Sequence, residues 1–247
     1  MSSRRLLVAS AALLACTLPF AAAHAQGAWK PDRPVRLLVG FAPGGSADVL
    51  ARLIAEPLGQ KLGQPVVVEN VAGAGGNIAT GRLANAAADG YTLGIAAAGS
   101  MAITFELNPK GTPYKPTSFT PITMVASQPN VLIVNKDVPA NNLQEFKAYV
   151  ARTPSASYGI AGIGISNHLI AEAMLHRLGA KMEAIPYKGA APVIADLLGG
   201  HLAMTMDNIT TAAALANDGK VKALGVTSAQ RCTPGSGALT KDAARSM

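Results

Sequence analysis

Short apolar runs closed by glycine recur along this chain, and residues with a helical period follow each one. The first such unit spans Val35 to Asp48. Val35, Leu37, Leu38 and Val39, interrupted only by Arg36, suit a strand covered on both faces in a parallel sheet. Pro43, Gly44 and Gly45 end it. Ser46 is a candidate N-cap, and Asp48 falls in the first turn of a helix whose apolar face is predicted to be Val49, Leu50, Leu53, Ile54 and Leu58. Glycines at such a turn let a ligand approach the backbone, and the first N–H groups of the helix point at it. An anion there gains about 0.3–1 kcal/mol from the helix dipole. A plain strand-to-helix turn, its glycines serving only chain reversal, is the alternative reading of the same residues.

The unit repeats. Val66 to Asn70 is a second strand, closed by Gly73, Gly75 and Gly76 before a helix through Ile78, Leu83 and Ala87. Thr92 to Ala97 is a third, running into a turn at Gly99 and Ser100. Three strands ending in small-residue turns predict a parallel βαβ sheet with a crevice at the strands' carboxyl ends, so the three turns should converge. Asn108 to Pro121, rich in Pro, Thr and Lys, reads as an extended surface loop. The apolar runs Ile122 to Val125 and Val131 to Val134, separated by Gln128-Pro129-Asn130, read as a crossing between lobes.

A second half follows the same logic. It predicts a helix over Leu143 to Arg152, a strand over Ser157 to Ala161, and a glycine turn at 162–166 with Ser166 capping a helix that carries Leu169, Ala173 and Leu178. A strand over Glu183 to Tyr187 ends at Lys188-Gly189, before a helix over Ala190 to Leu198. Leu202 to Met206 leads to Asp207-Asn208 and a helix over Thr211 to Asn217, and Val221 to Thr227 is the last clear strand. The economical reading is two α/β lobes whose turns face a common cleft.

The N-terminus changes where the protein works. Arg4 and Arg5, an uncharged stretch from Leu6 to Ala23 and the small-residue site Ala23-His24-Ala25 form a secretory signal peptide over 1–25, with cleavage expected after Ala25. Leu13-Leu14-Ala15-Cys16 also resembles a lipobox, which would make Cys16 a lipidated start. Loss of Arg4 and Arg5 takes the formal charge from +7 to 19 − 14 = +5. The basic residues are scattered and aromatics few, which argues against nucleic acid and suits an acidic small solute or an anionic membrane face. With Cys16 removed only Cys232 is left, so no internal disulfide forms.

The motifs F-A-P-G-G-S-A-D at 41–48, V-V-V-E-N-V-A-G-A-G-G-N-I-A at 66–79 and A-A-A-D-G-Y-T-L at 86–93 resemble those of the Bug family. So do P-Y-K-G-A-A-P at 186–192, D-L-L-G-G at 196–200 and V-K-A-L-G-V-T-S-A-Q-R at 221–231. Bug proteins are extracytoplasmic solute receptors of tripartite tricarboxylate transporters. The resemblance implies a type II-like periplasmic binding protein fold, with a first lobe over 29–125 and a second over 126–228 that includes the crossing strands. It implies a periplasmic, monomeric receptor without a cofactor, working with membrane transporter subunits. Hinge motion near Ala126–Pro129 and Val226–Ala229 would close it over a small carboxylate. By motif, Phe41, Ala42, Gly44, Gly45, Ser46 and Asp48 match the family's first ligand loop. Ala161, Gly164, Ser166 and His168 match the second-lobe turn, and Lys188, Gly189 and Asp207 match turns lining the cleft. Gly99 and Ser100 join this set from the third strand's turn. After Arg231 the sequence departs from the pattern. A divergent tail over 232–247, from a shifted frame or truncated gene, would leave the first lobe incomplete, with an unpaired edge and uncovered apolar surface.

Other chemistries are weaker. His168, Glu172 and His176 share a helical face but not the order H-E-x-x-H, and no G-x-S-x-G elbow surrounds Ser46, Ser100 or Ser166. Asp48 and Asp207 could face each other as an acid/base pair. A nucleotide-dependent enzyme is the main rival function, but Gly73 to Ile78 puts isoleucine where G-x-G-x-x-G needs its third glycine. A sensor for a membrane regulator is the third reading.

Overall fold

The computed structural model describes residues 29–229. The signal peptide with its cleavage after Ala25, the Cys16 lipidation alternative, Cys232 and the tail lie outside the described residues. Strands β1 (Val35–Val39), β2 (Val66–Asn70) and β3 (Thr92–Ile95) form a parallel sheet in the order β2-β1-β3. Helix α1 (Ser46–Leu62) covers one face, packing Ala51 and Ile54 on Leu37, Val39, Val66 and Val68. Helix α2 (Asn77–Ala84) covers the other with Ala79 and Leu83 against Leu38 and Val71.

The phase of α1 differs from the expected one. Val49 is 40% and Leu53 70% exposed, while Asp48, Ala51 and Ala55 are buried. Those three lie at i, i+3 and i+7 on one helical face. The turn sets that face, because Asp48 is drawn inward to Gly44 and Asn70, and two alanines let the helix lie close to the sheet. Val67, on an edge strand, is also exposed.

Three further expectations shift. The third strand stops at Ile95, and Gly99 and Ser100 do not make a turn; they open a π-helical segment (Gly99–Ile103) that continues into α3 (Thr104–Leu107). Ile122 to Val125 joins no sheet, and Ile122 and Met124 are almost fully exposed. The loop before it is anchored by buried Tyr114, whose hydroxyl lies 2.7 Å from both Asn77 Oδ1 and the Ser100 carbonyl. Within this polar loop Tyr114 packs edge-on against Phe119 of the same loop and Phe105 before it.

The second sheet has the order β6-β5-β7-β4-β8, from β4 (Asn130–Asn135), β5 (Ser157–Ile160), β6 (Glu183–Pro186), β7 (Met204–Asn208) and β8 (Val221–Val226). Strand β5 is parallel to β6 and β7, whereas β4 runs antiparallel to β7 and β8. All six residues of β4 are buried, as a central strand requires. Helices α4 (Leu143–Arg152) and α5 (Ser166–Leu178) cover the face bearing Leu132, Val134, Met204 and Met206. Helices α6 (Ala190–Leu198) and α7 (Ile209–Asn217) cover the face bearing Val131 and Ile133. The start of β4 and the residue after β8 are tied to each other: Thr227 donates its N–H to the Asn130 carbonyl, and the Asn130 N–H donates to Thr227 Oγ1, both at 2.9 Å.

Candidate functional site

Helices α1, α2, α5, α6 and α7 each follow a strand and begin at its carboxyl end, and none of the five has a side-chain cap. Helix α4 follows the antiparallel strand β4, starts at the other end of the sheet, and is capped by Asn142, whose side chain accepts from the Glu145 N–H at 2.9 Å. The first N–H groups of a helix have no partner inside it, so an uncapped start offers donors and a positive dipole end. The sequence predicted Ser46 and Ser166 as caps. The caps are instead Gly45 and Ile165, both extended, and the two serines are the first helical residues. Placed there, the Ser46 hydroxyl turns away from its own backbone and accepts a hydrogen bond from Asn208 of the second lobe.

The turns meet. A Cβ added at Gly45 would lie 3.5 Å from Ala190 Cβ, at the start of α6, and one at Gly76 would lie 3.5 Å from the Phe41 ring and 3.8 Å from Ser100 Cβ. The segments that follow the three first-sheet strands therefore gather. Across the cleft, Ala42 donates its N–H to the Lys188 carbonyl at 3.3 Å. Gly189 has φ +147, and a side chain there would come within 2.8 Å of the Ala42 nitrogen, so only glycine fits. Gly75 and Gly99 face Ile165, and a Cβ at Gly162 would reach within 2.8 Å of Gly75 Cα. Gly164 takes φ +75 with Leu107 beside it. One part of this contact is therefore apolar, built on Ile165. The other is polar, built on Ser46 and Asn208.

The two acids do not face each other. Asp48 is buried and engaged on every side: Arg52 Nε at 3.0 Å, the Gly44 N–H at 3.0 Å and Asn70 Nδ2 at 2.9 Å. Burial alone would raise its carboxyl, but the bonds from Arg52, Gly44 and Asn70 outweigh that and hold it below its ordinary value. Asp48 therefore shapes the 41–48 turn from beneath. Asp207 is buried on the α7 side of its sheet, where it accepts from Thr211 Oγ1. Burial pushes it up, against the lowering effect of Thr211 and the Asn208 N–H. An acid/base pair across the cleft is thereby corrected.

His168 Nδ1 accepts the Gly164 N–H at 3.1 Å, so the side chain fastens the 162–165 turn. Its Nε2 lies 3.9 Å from Glu172, and His176 is exposed; among the described residues no group of three or more His, Cys, Asp and Glu could hold a metal. Lys188 is exposed, and its carbonyl, not its ammonium, makes the contact with Ala42. Ala161 is half-buried against the α6–α7 core. A small, partly open pocket lined by Leu38, Ala79, Thr80, Leu83, Gly94, Ile95 and Ala96 lies in the first lobe, with no charged residue in its lining.

Sequence reasoning missed three asparagines. Asn70 ends β2 and holds both the Phe41 carbonyl and Asp48. Asn208 ends β7 and reaches Ser46. Asn130 begins β4, directly opposite Asn208 in the sheet register. The available signal was a polar amide at the crevice end of an otherwise apolar strand.

The family model described as tripartite tricarboxylate transporter family receptor, TctC, matches residues 50–236. BugT of Bordetella pertussis is 39% identical over 206 residues, covering 82% of this chain and 63% of BugT. The chain thus spans less than two thirds of that relative's length. A Rhodopseudomonas palustris protein solved with adipate superposes with a TM-score of 0.76 at 37% identity, covering 81% of this chain and 68% of that one. MatC of the same organism, with bound malate, gives 0.76 at 33% identity, covering 81% and 69%. Among the described residues no helix is long and apolar enough to cross a membrane.

Proposed function

The chain belongs to the TctC family, the tripartite tricarboxylate transporter family receptors, and on that premise we propose that it is a non-enzymatic receptor for a small carboxylate. The acid is held between a first lobe over 29–125 and a second over 126–228. The observation that carries this reading is the set of uncapped helix starts on both sides of one contact. Backbone donors and dipole ends of one sign, brought together, select a negatively charged guest. The adipate and malate in two structural neighbours support the same ligand class.

In this reading Gly44, Gly45 and Ser46 approach the carboxylate from the first lobe, with Phe41 and Ala42 forming the wall and Asp48 fixing the loop. Gly164 and Ser166 approach from the second lobe, steadied by His168, while Ala161, Lys188 and Gly189 line the edge. Gly99 and Ser100 close the floor. Asp207 keeps the α7 start in place. Micromolar binding requires about 8 kcal/mol, within reach of a few charge-assisted hydrogen bonds in a cleft that excludes water. Hinges near Ala126–Pro129 and Val226–Ala229 let the lobes part. The closed form is then presented, in the periplasm, to membrane subunits of a tripartite transporter.

A thermal-shift screen of the purified full chain tests the ligand class, since a ligand that binds only the native state raises its melting temperature. Carboxylic acids are expected to raise it in a concentration-dependent way. A shift with nucleotides and none with any acid would overturn the proposal.

A further inference from the structure

Asn130 is 6% exposed, and its Oδ1 is buried without a hydrogen-bond partner, the one such side-chain atom among the described residues. A buried polar atom with no partner loses its hydration without compensation, so native structures keep few of them without a reason. Three facts locate this one. Strand β4 runs antiparallel to β7, which puts its first residue at the crevice end of the sheet. Asn130 is paired with Asn208, and residues directly opposite in an antiparallel pair present their side chains on the same face. That face carries Leu132, Val134, Met204 and Met206, and the start of α5 lies over its crevice end, where Asn167 donates to the Met206 carbonyl at 2.9 Å. Asn208 in turn reaches across the cleft to Ser46. The backbone of Asn130 is meanwhile fixed on both sides by Thr227.

We propose that Asn130 is a specificity-determining residue whose amide oxygen receives a hydrogen-bond donor on the bound acid. The ligand class narrows accordingly, to carboxylates that also carry a hydroxyl or an ammonium group. The inference rests on the receptor reading above. The carboxylate itself is served by the helix starts, which are donors. An acceptor among them has no use for a second carboxylate oxygen and is satisfied by a donor beside it. An acid of equal length lacking that group leaves Oδ1 as it stands, and sites built to hydrogen-bond a substrate group reject the analogue without it.

Titration calorimetry of the full chain with succinate, malate and aspartate tests the idea, because the three share a four-carbon diacid and differ in the donor. Malate or aspartate is expected to bind roughly 5- to 100-fold more tightly than succinate, the range that follows from leaving one buried acceptor unsatisfied. Which of the two prevails tells hydroxyl from ammonium. In Asn130→Leu, close in size and without the acceptor, that preference is expected to vanish. Asn130→Ala makes the same test should the leucine fail to pack. Equal affinity for all three acids in the unmodified protein, or a preference that survives both substitutions, overturns the role of Asn130 and leaves the receptor reading intact. Failure of any carboxylate to bind removes the receptor reading itself.

Discussion

Replacing Asp48 with alanine strips the 41–48 turn of its inner support, and the structure sets the size of the effect. Three bonds are lost, from the Gly44 N–H, from Asn70 Nδ2 and from Arg52. The Arg52 side chain is 55% exposed and resolvates freely, so its share is that of a surface ion pair, about 0–1 kcal/mol. The other two bonds reach a buried carboxylate and are each worth about 1.5–3 kcal/mol. Asn70 keeps its bond to the Phe41 carbonyl and Gly44 lies where water reaches it, and the desolvation of the carboxylate is recovered. A net loss of about 2–3 kcal/mol follows. For a chain of this size that lowers the melting temperature by roughly 4–12 °C. The pH dependence gives a second handle. The folded carboxyl is held below its ordinary value of 3.8, so its contribution is present above that value and is lost as pH falls through the depressed one. Melting of both proteins by circular dichroism, from neutral pH to acid, should show a gap that is full at neutrality and narrows as pH falls below 3.8. A variant that melts within about 1 °C of the parent at neutral pH, or a gap indifferent to acid, would refute the assignment.

Further outcomes follow from neighbouring groups. Asp207 has the opposite sign: burial raises its carboxyl, so its contribution is most favourable below the ordinary value of 3.8 and worsens as pH rises through the raised one. Asp207→Asn is therefore expected to raise the melting temperature at neutral pH, with the gain shrinking in acid, and a variant less stable at neutrality contradicts this. Tyr114→Phe removes the hydroxyl beside Ser100 and Asn77. It should cost about 1–2 kcal/mol in urea unfolding and speed proteolysis of the 108–121 loop; unchanged cleavage would show that the anchor lies elsewhere.

Much of the architecture was legible because buried parallel strands are near-continuous apolar runs punctuated by glycine. Val35–Val39, Val66–Asn70 and Ser157–Ile160 fall where the pattern put them. The phase of α1 was not legible, since it depends on Asn70, 22 residues beyond Asp48 and brought near only by the sheet. The serines misled for a related reason. A hydroxyl before a helical run signals a cap locally, whereas Ser46 is claimed by Asn208 from the other lobe. Ile122 to Val125 has the composition of a strand, but composition supplies no neighbour to pair with. Asn130 and Asn208 each stand as a polar amide at the crevice end of a strand, but only the β4–β7 register makes them adjacent.

The central claim is that facing helix starts grip a carboxylate as the lobes come together, and Gly45 lies where this is most exposed to test. Its backbone is extended, so a side chain is conformationally allowed, and the added Cβ points at Ala190 of the opposite lobe. Alanine fits in ordinary contact, whereas leucine wedges the lobes apart. The most direct measurement is titration calorimetry of the parent, Gly45→Ala and Gly45→Leu with a carboxylate that the thermal-shift screen identifies. The account predicts saturable one-to-one binding in the parent, retention in Gly45→Ala, and loss in a Gly45→Leu variant that still melts cooperatively. Unchanged affinity in Gly45→Leu would contradict it.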